Sequence, residues 1–299
     1  MEERYVASVS WGKDSLAMLW LLLGKNYPLH EVVFYDTGME FQAIYDTRDK
    51  MVPLLEHFGI TYTELKPKRP FLYDMFEKPK KGGGKGYGWC GGPCRWGTTF
   101  KTEAIDAYAK QCKRYIGIAA DETKRLNRAI AQDSFKLYPL ADAGMTERDC
   151  LNYCYSIGYF WEENGGAGTV RLYDILDHVS CWCCRNKNLK ELKNIYRYLP
   201  AYWERLKYLQ WKLVCPMKGH GKGVFELEER FKAELAQVEI GGGMECDIPR
   251  SWRSGPMKSW PPAAGTPRGG RPTPWPCSMN NTRRWRPPGG PWMAYMPSV

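Results

Sequence analysis

The stretch Ser10-Trp11-Gly12-Lys13-Asp14-Ser15 lies between a β-branched segment, RYVASVS over residues 4–10, and an apolar run, LAMLWLLL over residues 16–23. The first segment predicts a strand, and the second predicts a helix that ends at Gly24, a residue suited to the position after a helix. A strand, a glycine-containing loop and a helix in this order form one half of a parallel α/β unit. The loop therefore marks where a ligand would meet the sheet.

Three further strands are predicted along the first half of the chain. They cover residues 31–37, 60–65 and 114–119, and helical patterns over 41–58 and 99–111 separate them. This alternation predicts an α/β fold with a doubly wound, Rossmann-like parallel sheet that binds ligands at the carboxyl ends of its strands. From Thr146 onward the pattern becomes helical, with helices expected over 146–157, 188–199 and 201–213.

The composition divides the chain into three segments. We expect a nucleotide-binding α/β domain over 1–145, a helical region with a cysteine motif over 146–240 and a low-complexity tail over 241–299. The tail holds 12 of the 21 prolines, and eight Lys/Arg against two Asp/Glu. Such a composition predicts disorder. The tail is either a basic arm or an extension without function, and the second interpretation is favoured.

Charge and hydropathy exclude several classes of protein. The 299 residues carry a formal charge of +10, with 43% apolar and 25% charged residues, which excludes collagen, coiled coil and wholesale disorder. The apolar run over 16–23 is too short to span a bilayer. It also lacks the flanks of a signal peptide. We therefore expect a soluble cytoplasmic protein that has no membrane partner.

The loop at residues 10–15 has the chemistry of a phosphate site. Backbone N–H groups at the start of a helix favour an anion, and Gly12 lets the backbone approach it closely. The hydroxyls of Ser10 and Ser15 add donors, and Lys13 adds a positive charge. The spacing is not that of a Walker A loop. The alternative is a tight turn with Lys13 and Asp14 in solvent.

Two other predicted strands end in residues of similar character. Asp36-Thr37-Gly38, followed by Glu40-Phe41, closes the second strand, where a ribose or a metal would lie. Gly117-Ile118-Ala119-Ala120-Asp121-Glu122 closes the fourth strand, and Arg125 and Arg128 follow it. Because the carboxyl ends of parallel strands meet at one edge of a sheet, these segments belong to one predicted site.

In these three segments the chain resembles the phosphoadenosine phosphosulfate (PAPS) reductase family, within the PP-loop adenine-nucleotide α-hydrolase superfamily. The S-x-G-K-D-S loop of its ATP-using members matches Ser10 to Ser15, and D-T-G-x-x-F matches Asp36 to Phe41. G-x-R-x-D-E-x-x-R is similar to Gly117 through Arg125, with Ala119 where arginine is usual. Tyr138-Pro139-Leu140 is similar to the family's P-L segment. The resemblance covers residues 4 to 213.

The resemblance implies roles for these residues. Ser10, Gly12 and Ser15 would cradle phosphates, Asp36, Thr37 and Gly38 would lie near the adenosine, and Asp121, Glu122 and Arg125 would line the opposite wall. Lys13, Asp14 and Asp121 are the candidate catalytic residues. The intact Lys13-Asp14 pair is similar to that of ATP pyrophosphatases, whereas sulfonucleotide reductases usually lack it. Their C-terminal E-C-G-x-H segment is also absent here, because Glu245-Cys246 is followed by Asp247-Ile248-Pro249.

The favoured function is cleavage of ATP between the α- and β-phosphates with Mg²⁺, which adenylylates an acceptor that then receives sulfur. The partner would be a sulfur-donor protein or a thiol reductant. One alternative is the reduction of PAPS, or of its 3′-dephospho form, to sulfite by a cysteine that attacks sulfur. Another is a nucleotide-binding module without turnover that carries a structural metal.

Two groups of cysteines precede predicted helices. Cys90 and Cys94 lie in WCGGPCRW, and Cys181, Cys183 and Cys184 lie in SCWCCR. Four thiolates suit Zn²⁺ or an iron–sulfur cluster, and some members of the resembled family carry a four-iron cluster on comparable cysteines. We predict that Cys90, Cys94, Cys181 and Cys184 hold the metal, with Cys183 as a substitute. A zinc site would bring the sulfurs to about 3.5–4 Å, and a cluster would hold them farther apart. Reactive thiols and inert buried cysteines are the alternatives.

Nucleic acid is the less favoured partner. The segment KPKKGGGKGYG over residues 78–88 predicts a loop without regular structure, either a lid for a polyanion or a solvated loop. Aromatic and basic residues alternate through 188–213, which suits nucleic acid. At helical spacing, however, they favour a packed face.

Overall fold

The computed structural model describes residues 3–90, 94–130, 133 and 135–240. The predicted tail over 241–299, with Cys246 and Cys277, lies outside the described residues. Of the described helices, none combines the length and the apolar character needed to cross a membrane.

The described residues form a parallel five-stranded sheet in the order β3-β2-β1-β4-β5. The strands are β1 Tyr5–Ser8, β2 Glu31–Tyr35, β3 Thr61–Leu65, β4 Lys113–Ile116 and β5 Lys136–Leu137. The chain moves outward from β1 through β2 to β3, and then returns to pair β4 with the other side of β1. The predicted doubly wound sheet is confirmed. All five strands are parallel, and the side on which new strands are added changes between β1 and β4, a position that we call the reversal point.

Helices connect the strands. They are α1 Lys13–Gly24, α2 Gln42–His57, α3 Phe71–Phe76, α4 Lys101–Tyr108, α5 Thr123–Ile130 and α6 Pro139–Asp142, with a π-helical turn at Arg95–Phe100 ahead of α4. The helix predicted over 99–111 is thus shorter than expected and begins as this turn. Buried residues cover most of α1, which explains its uninterrupted apolar run.

The second half of the described chain is mainly helical. It contains α7 Glu147–Ser156, α8 Leu172–Ile175, α9 Leu189–Tyr198, α10 Pro200–Trp211 and α11 Val224–Ile240. The capping box at Thr146 and Asp149 is present. An antiparallel hairpin, β6 Glu162–Asn164 with β7 Thr169–Arg171, was not predicted. Neither was β5, because two or three residues give no readable alternation.

Two of the four aromatic residues of α10 belong to the core. Tyr202 and Trp203 are buried, and the Tyr202 ring packs edge-on against Phe41 with centroids 4.8 Å apart. The favoured packed-face interpretation is therefore correct for these two residues. Tyr208 and Trp211, at the far end of α10, are exposed.

Candidate functional site

The loop after β1 makes a sharp turn at a buried tryptophan. Trp11 has a φ of 60°, a left-handed conformation that bulky residues rarely adopt. Its carbonyl accepts a hydrogen bond of 2.7 Å from the indole Nε1 of Trp161, just ahead of β6. Trp161, 150 positions further along the chain, therefore stabilises this turn of the loop.

Two serines fix the loop from within. The Ser15 hydroxyl donates to the carbonyl of Gly12 at 3.1 Å and accepts from the backbone N–H of Ser10 at 3.1 Å. The backbone N–H of Lys13 donates to the buried hydroxyl of Tyr173 at 2.9 Å. The other N–H groups in the first turn of α1 have no acceptor within the helix. They form the kind of helix terminus that attracts an anion.

Lys13 is buried rather than solvated, with 6% of its surface exposed. Its Nζ lies 2.8 Å from Oδ1 of Asp14 and 3.5 Å from Oε2 of Glu147. Burial raises the pKa of the Asp14 carboxyl; the Lys13 charge opposes this effect, while Glu147 and Glu122 reinforce it. The loop thus presents one buried cation among several carboxylates.

Asp14, Glu122 and Glu147 each offer a carboxylate oxygen, and these oxygens all lie within 4.8 Å of one another. Arg125 donates to Oε2 of Glu122 at 2.7 Å. Asp121 accepts from the backbone N–H of Glu147 at 3.0 Å, so it ties the start of α7 to this group. Carboxylate oxygens are the ligands that Mg²⁺ prefers, and the set therefore fits that ion.

The sequence alone does not identify Glu147 as a residue of the candidate site. It lies in the first turn of α7, in the capping-box segment, where an acidic residue is expected for helix stability alone. The signal that could have drawn attention to it is its place seven residues after Leu140, the end of the resembled P-L segment. Only packing of α7 against α1 brings it to Lys13.

Gly117 lies where β4 ends, close against the first turn of α1. A Cβ atom at this position would lie 3.1 Å from both the backbone N and the Cα of Ser15. This is tighter than a normal side-chain contact, so glycine allows the two loops at the reversal point of the sheet to approach each other.

The loop after β2 is held by its own side chains. Oδ1 of Asp36 accepts from the backbone N–H of Gly38 at 2.8 Å and from the Tyr45 hydroxyl at 2.7 Å. The Thr37 hydroxyl donates to Oε1 of Glu40 at 3.0 Å. Gly38 has a φ of 74°, which glycine adopts without strain.

The second cysteine group packs against this same loop. The Cys181 sulfur lies 3.6 Å from Oγ1 of Thr37 and 3.8 Å from Oε1 of Glu40. The backbone N–H of Trp182 donates to the carbonyl of Met39 at 3.0 Å. The cysteine group therefore lies at the carboxyl end of β2, beside the predicted adenosine region.

The sulfurs of Cys94 and Cys181 both lie close to Gly97. A Cβ atom on Gly97 would lie 3.6 Å from the Cys94 sulfur and 3.8 Å from the Cys181 sulfur. The Cys94 sulfur accepts from the backbone N–H of Gly97 at 3.3 Å, and the Cys90 sulfur accepts from that of Arg95 at 3.3 Å. The fold thus brings members of the two predicted groups to one place.

The sulfurs are spread more widely than in a closed zinc site. Across the described ranges, no three cysteine sulfurs all lie within 4.8 Å of one another. The backbone N–H of Cys184 donates to the carbonyl of Cys181 at 3.0 Å, so the two residues share one turn. Cys183 is buried in the main core, and burial raises the pKa of both Cys183 and Cys181. The ligand set itself stays a prediction.

Cys150 and Cys154 are fully buried on α7. The thiol of Cys154 donates to the carbonyl of Lys13 at 3.4 Å. Cys154 therefore contacts the backbone of the loop directly, and Cys150 is buried one helical turn away on α7.

A loop suited to phosphate binding, placed at the reversal point of a parallel sheet, is typical of doubly wound α/β proteins. In these proteins the ligand lies at the carboxyl ends of the strands. Residues 4–156 match the phosphoadenosine phosphosulfate reductase domain, and the chain belongs to that family.

Other comparisons give more distant relatives. Two uncharacterized proteins of Methanocaldococcus jannaschii are 26% identical over 208 aligned positions and 25% identical over 253, and the matches cover 67% and 75% of this chain. The matches span 40% and 55% of those longer proteins. Among solved structures, the U34-tRNA thiolase NcsA from Methanococcus maripaludis with its [4Fe-4S] cluster is similar, with 14% identity and a TM-score of 0.39 over 79% of this chain and 72% of that one.

Proposed function

We propose that this chain cleaves ATP between the α- and β-phosphates and uses the adenylylated acceptor for sulfur transfer. The observation that carries the proposal is the position of Lys13. Its ammonium is buried at the start of α1 and lies 2.8 Å from Asp14. A buried cation at a helix N-terminus is suited to a polyphosphate.

The phosphates would lie over the free N–H groups of the first turn of α1, beside the hydroxyl of Ser10. The adenosine would extend toward Asp36 and Thr37 along the carboxyl end of β2. Glu122 and Arg125, after β4, would form the opposite wall. In this arrangement the loops after β1, β2 and β4 each contribute one part of the nucleotide site.

Asp14, Glu122 and Glu147 would hold Mg²⁺, which supplies charge neutralisation to phosphate oxygens when it is bound. The ammonium of Lys13 would stabilise the negative charge that develops on the leaving pyrophosphate. A nucleophilic oxygen of the acceptor attacks the α-phosphorus, pyrophosphate leaves, and a sulfur nucleophile then displaces AMP from the acceptor.

The cysteines fit a soft-metal group by their donor chemistry. Cys90, Cys94, Cys181 and Cys184 would hold it, with Cys183 as the substitute, and an iron–sulfur cluster rather than a single Zn²⁺ is the group that we propose. The sulfur that is transferred would be bound at these cysteines. The contact between Cys181 and Thr37 would keep that sulfur close to the bound nucleotide.

Product analysis tests the proposal. Incubation with ATP, Mg²⁺, a thiol reductant and candidate acceptors should give AMP and pyrophosphate in the wild type and no product with Lys13→Ala. Lys25→Ala, at an exposed lysine just after α1, is the matched control and should retain activity. Formation of ADP and phosphate would contradict cleavage at the α-phosphate. Bound ATP that is never turned over would favour a binding module.

The position of Cys181 beside Thr37 favours a second candidate, the reduction of a sulfonucleotide. In that reaction a cysteine thiolate attacks the sulfuryl sulfur and releases the nucleotide. A thiol reductant then frees sulfite from the cysteine adduct. Mass spectrometry after exposure to PAPS would find a sulfonate on a peptide that contains Cys181 or its neighbours. An unmodified protein would rule this candidate out.

A further inference from the structure

A groove outside the candidate site lies between the lysine–glycine segment over 77–88 and the end of α10 with the residues that follow it, 211–215. It has a volume of about 530 Å³. The two walls approach each other at Gly88, where a Cβ atom would lie 3.9 Å from Cδ2 of Leu213. We call it the 77–88 groove.

The wall formed by residues 77–88 has a defined, hydrogen-bonded backbone conformation. The segment was predicted to lack regular structure, but Pro79 and Lys85 form an antiparallel bridge. The backbone N–H of Gly86 donates to the carbonyl of Lys78 at 2.9 Å, and that of Tyr87 donates to the carbonyl of Asp74 at 3.0 Å. Gly86 packs on the backbone of α3 with no room for a Cβ atom. The groove is therefore formed before any partner binds.

Aromatic side chains line or border the groove and remain in solvent. Trp211 is 71% exposed, Tyr208 is 40% exposed, and their rings lie 6.2 Å apart. Tyr87 on the opposite wall is 39% exposed. Aromatic rings that are exposed to solvent are suited to stacking against planar groups such as bases.

Cations lie over two of these rings, Tyr87 and Tyr208. Nζ of Lys78 and Cζ of Arg95 lie 5.3 Å and 4.8 Å from the centre of the Tyr87 ring, and Nζ of Lys212 lies 5.1 Å from that of Tyr208. Lys80 and Lys85 also line the groove, whereas Glu77 is its one acidic lining residue in the part of the chain that the structure describes. The charge of the groove is therefore complementary to a polyanion.

We propose that the 77–88 groove binds single-stranded nucleic acid, whose bases stack on Trp211, Tyr208 and Tyr87 while lysines contact the phosphates. A single strand offers both an anionic backbone and unpaired bases, and the groove presents partners for both. A paired duplex would hide its base faces from these rings. This inference does not depend on the proposed function, because binding here needs neither ATP nor a thiol.

The groove also lies next to the first cysteine group. Arg95, whose guanidinium is over Tyr87, has its backbone N–H 3.3 Å from the Cys90 sulfur. A strand that stacks on Tyr87 would therefore be close to the thiols of the candidate site.

Fluorescence anisotropy with a labelled 12-nucleotide single-stranded RNA of mixed sequence tests the proposal on the full chain. Trp211→Ala should weaken binding by about 5- to 100-fold, the range for loss of one stacked base. Phe58→Ala, at an exposed aromatic residue away from the groove, is the control. The double variant Lys85→Ala/Lys212→Ala should reduce the slope of log affinity against log salt by about 1.4, unlike Lys50→Ala/Lys110→Ala.

Ultraviolet cross-linking separates the groove from the basic tail, which is present in every variant. Cross-links in peptides that contain Tyr87, Tyr208 or Trp211 support the proposal. Cross-links confined to residues 241–299, or equal affinity of Trp211→Ala and Phe58→Ala, would overturn it. Equal displacement of the RNA by polyglutamate of the same charge would also overturn it, as would binding to anionic vesicles without binding to RNA.

Discussion

The hydroxyl oxygen of Thr37 lies 3.6 Å from the sulfur of Cys181, across 144 positions of sequence. Thr37 follows β2, in the loop where the adenosine is proposed to lie, and Cys181 opens the second cysteine group. Their contact joins the proposed nucleotide region to the second cysteine group, although no helix or strand connects the two. This arrangement gives the proposed reaction a short path between an activated acceptor and a sulfur.

The metal prediction concerns the cysteines that meet at Gly97. After anaerobic purification, we expect iron and acid-labile sulfide in the wild type, and loss of most of both in Cys94→Ser and Cys181→Ser, because each variant removes a soft ligand. Cys112→Ser, at a partly buried cysteine packed on the smaller core cluster, should keep its iron. Elemental analysis and the visible absorption spectrum provide the measurement. Zinc without sulfide would favour a single ion, and a metal-free wild type would contradict the prediction.

The close approach of β4 to α1 predicts a sensitivity at Gly117. Gly117→Ala should lower the free energy of unfolding by about 1–3 kcal/mol, because the added methyl group must displace backbone rather than a flexible side chain. It should also weaken ATP binding, since the displaced backbone belongs to the phosphate loop. Urea denaturation and calorimetry measure the two effects.

Gly24→Ala is the matched control for that prediction. A Cβ atom on Gly24 would meet nothing within 4 Å, and its backbone is not left-handed. We expect unchanged or slightly higher stability, because alanine restricts the unfolded chain more than glycine does. If the two substitutions cost the same, the contact with Ser15 is not what requires glycine at position 117.

A buried carboxyl on the hairpin predicts a pH dependence. Glu163 accepts from the backbone N–H of Ala43 at 2.8 Å and from the Tyr202 hydroxyl at 3.1 Å. Burial raises the pKa of Glu163 despite these two hydrogen bonds. The folded chain therefore holds this proton more tightly than the unfolded chain, and the stability that the protonated group contributes is lost as the pH rises through its folded-state pKa.

Glu163→Gln removes this titration. The stability of the wild type relative to the variant should fall as the pH rises from about 4, the ordinary pKa of a glutamate, through the raised folded-state pKa of Glu163. Urea denaturation of both proteins at several pH values measures the difference. A constant difference across that range would show that the Glu163 carboxyl has the same pKa in the folded and unfolded chains.

The sequence predicts which residues lie at the strand ends of the site, because each motif directly follows a short segment with the composition of a strand. Trp161, Tyr173 and Glu147 could not be predicted, because each contributes to the site through packing between segments more than 130 positions apart. The sequence predicts that the two cysteine groups lie close together, but not which of their sulfurs are neighbours. Cys94 and Cys181 both lie near Gly97 because Gly97 belongs to the π-helical turn before α4.

The central claim is that Lys13 and the loop around it bind the phosphates of ATP. Calorimetric titration of the wild type with ATP and Mg²⁺ tests it most directly, with Lys13→Ala and the control Lys25→Ala measured beside it. We predict one site per chain, with affinity reduced about 10- to 100-fold in Lys13→Ala, as expected for loss of a charge-assisted hydrogen bond, and unchanged in Lys25→Ala. No binding of ATP by the wild type, or equal binding by wild type and Lys13→Ala, would contradict the claim.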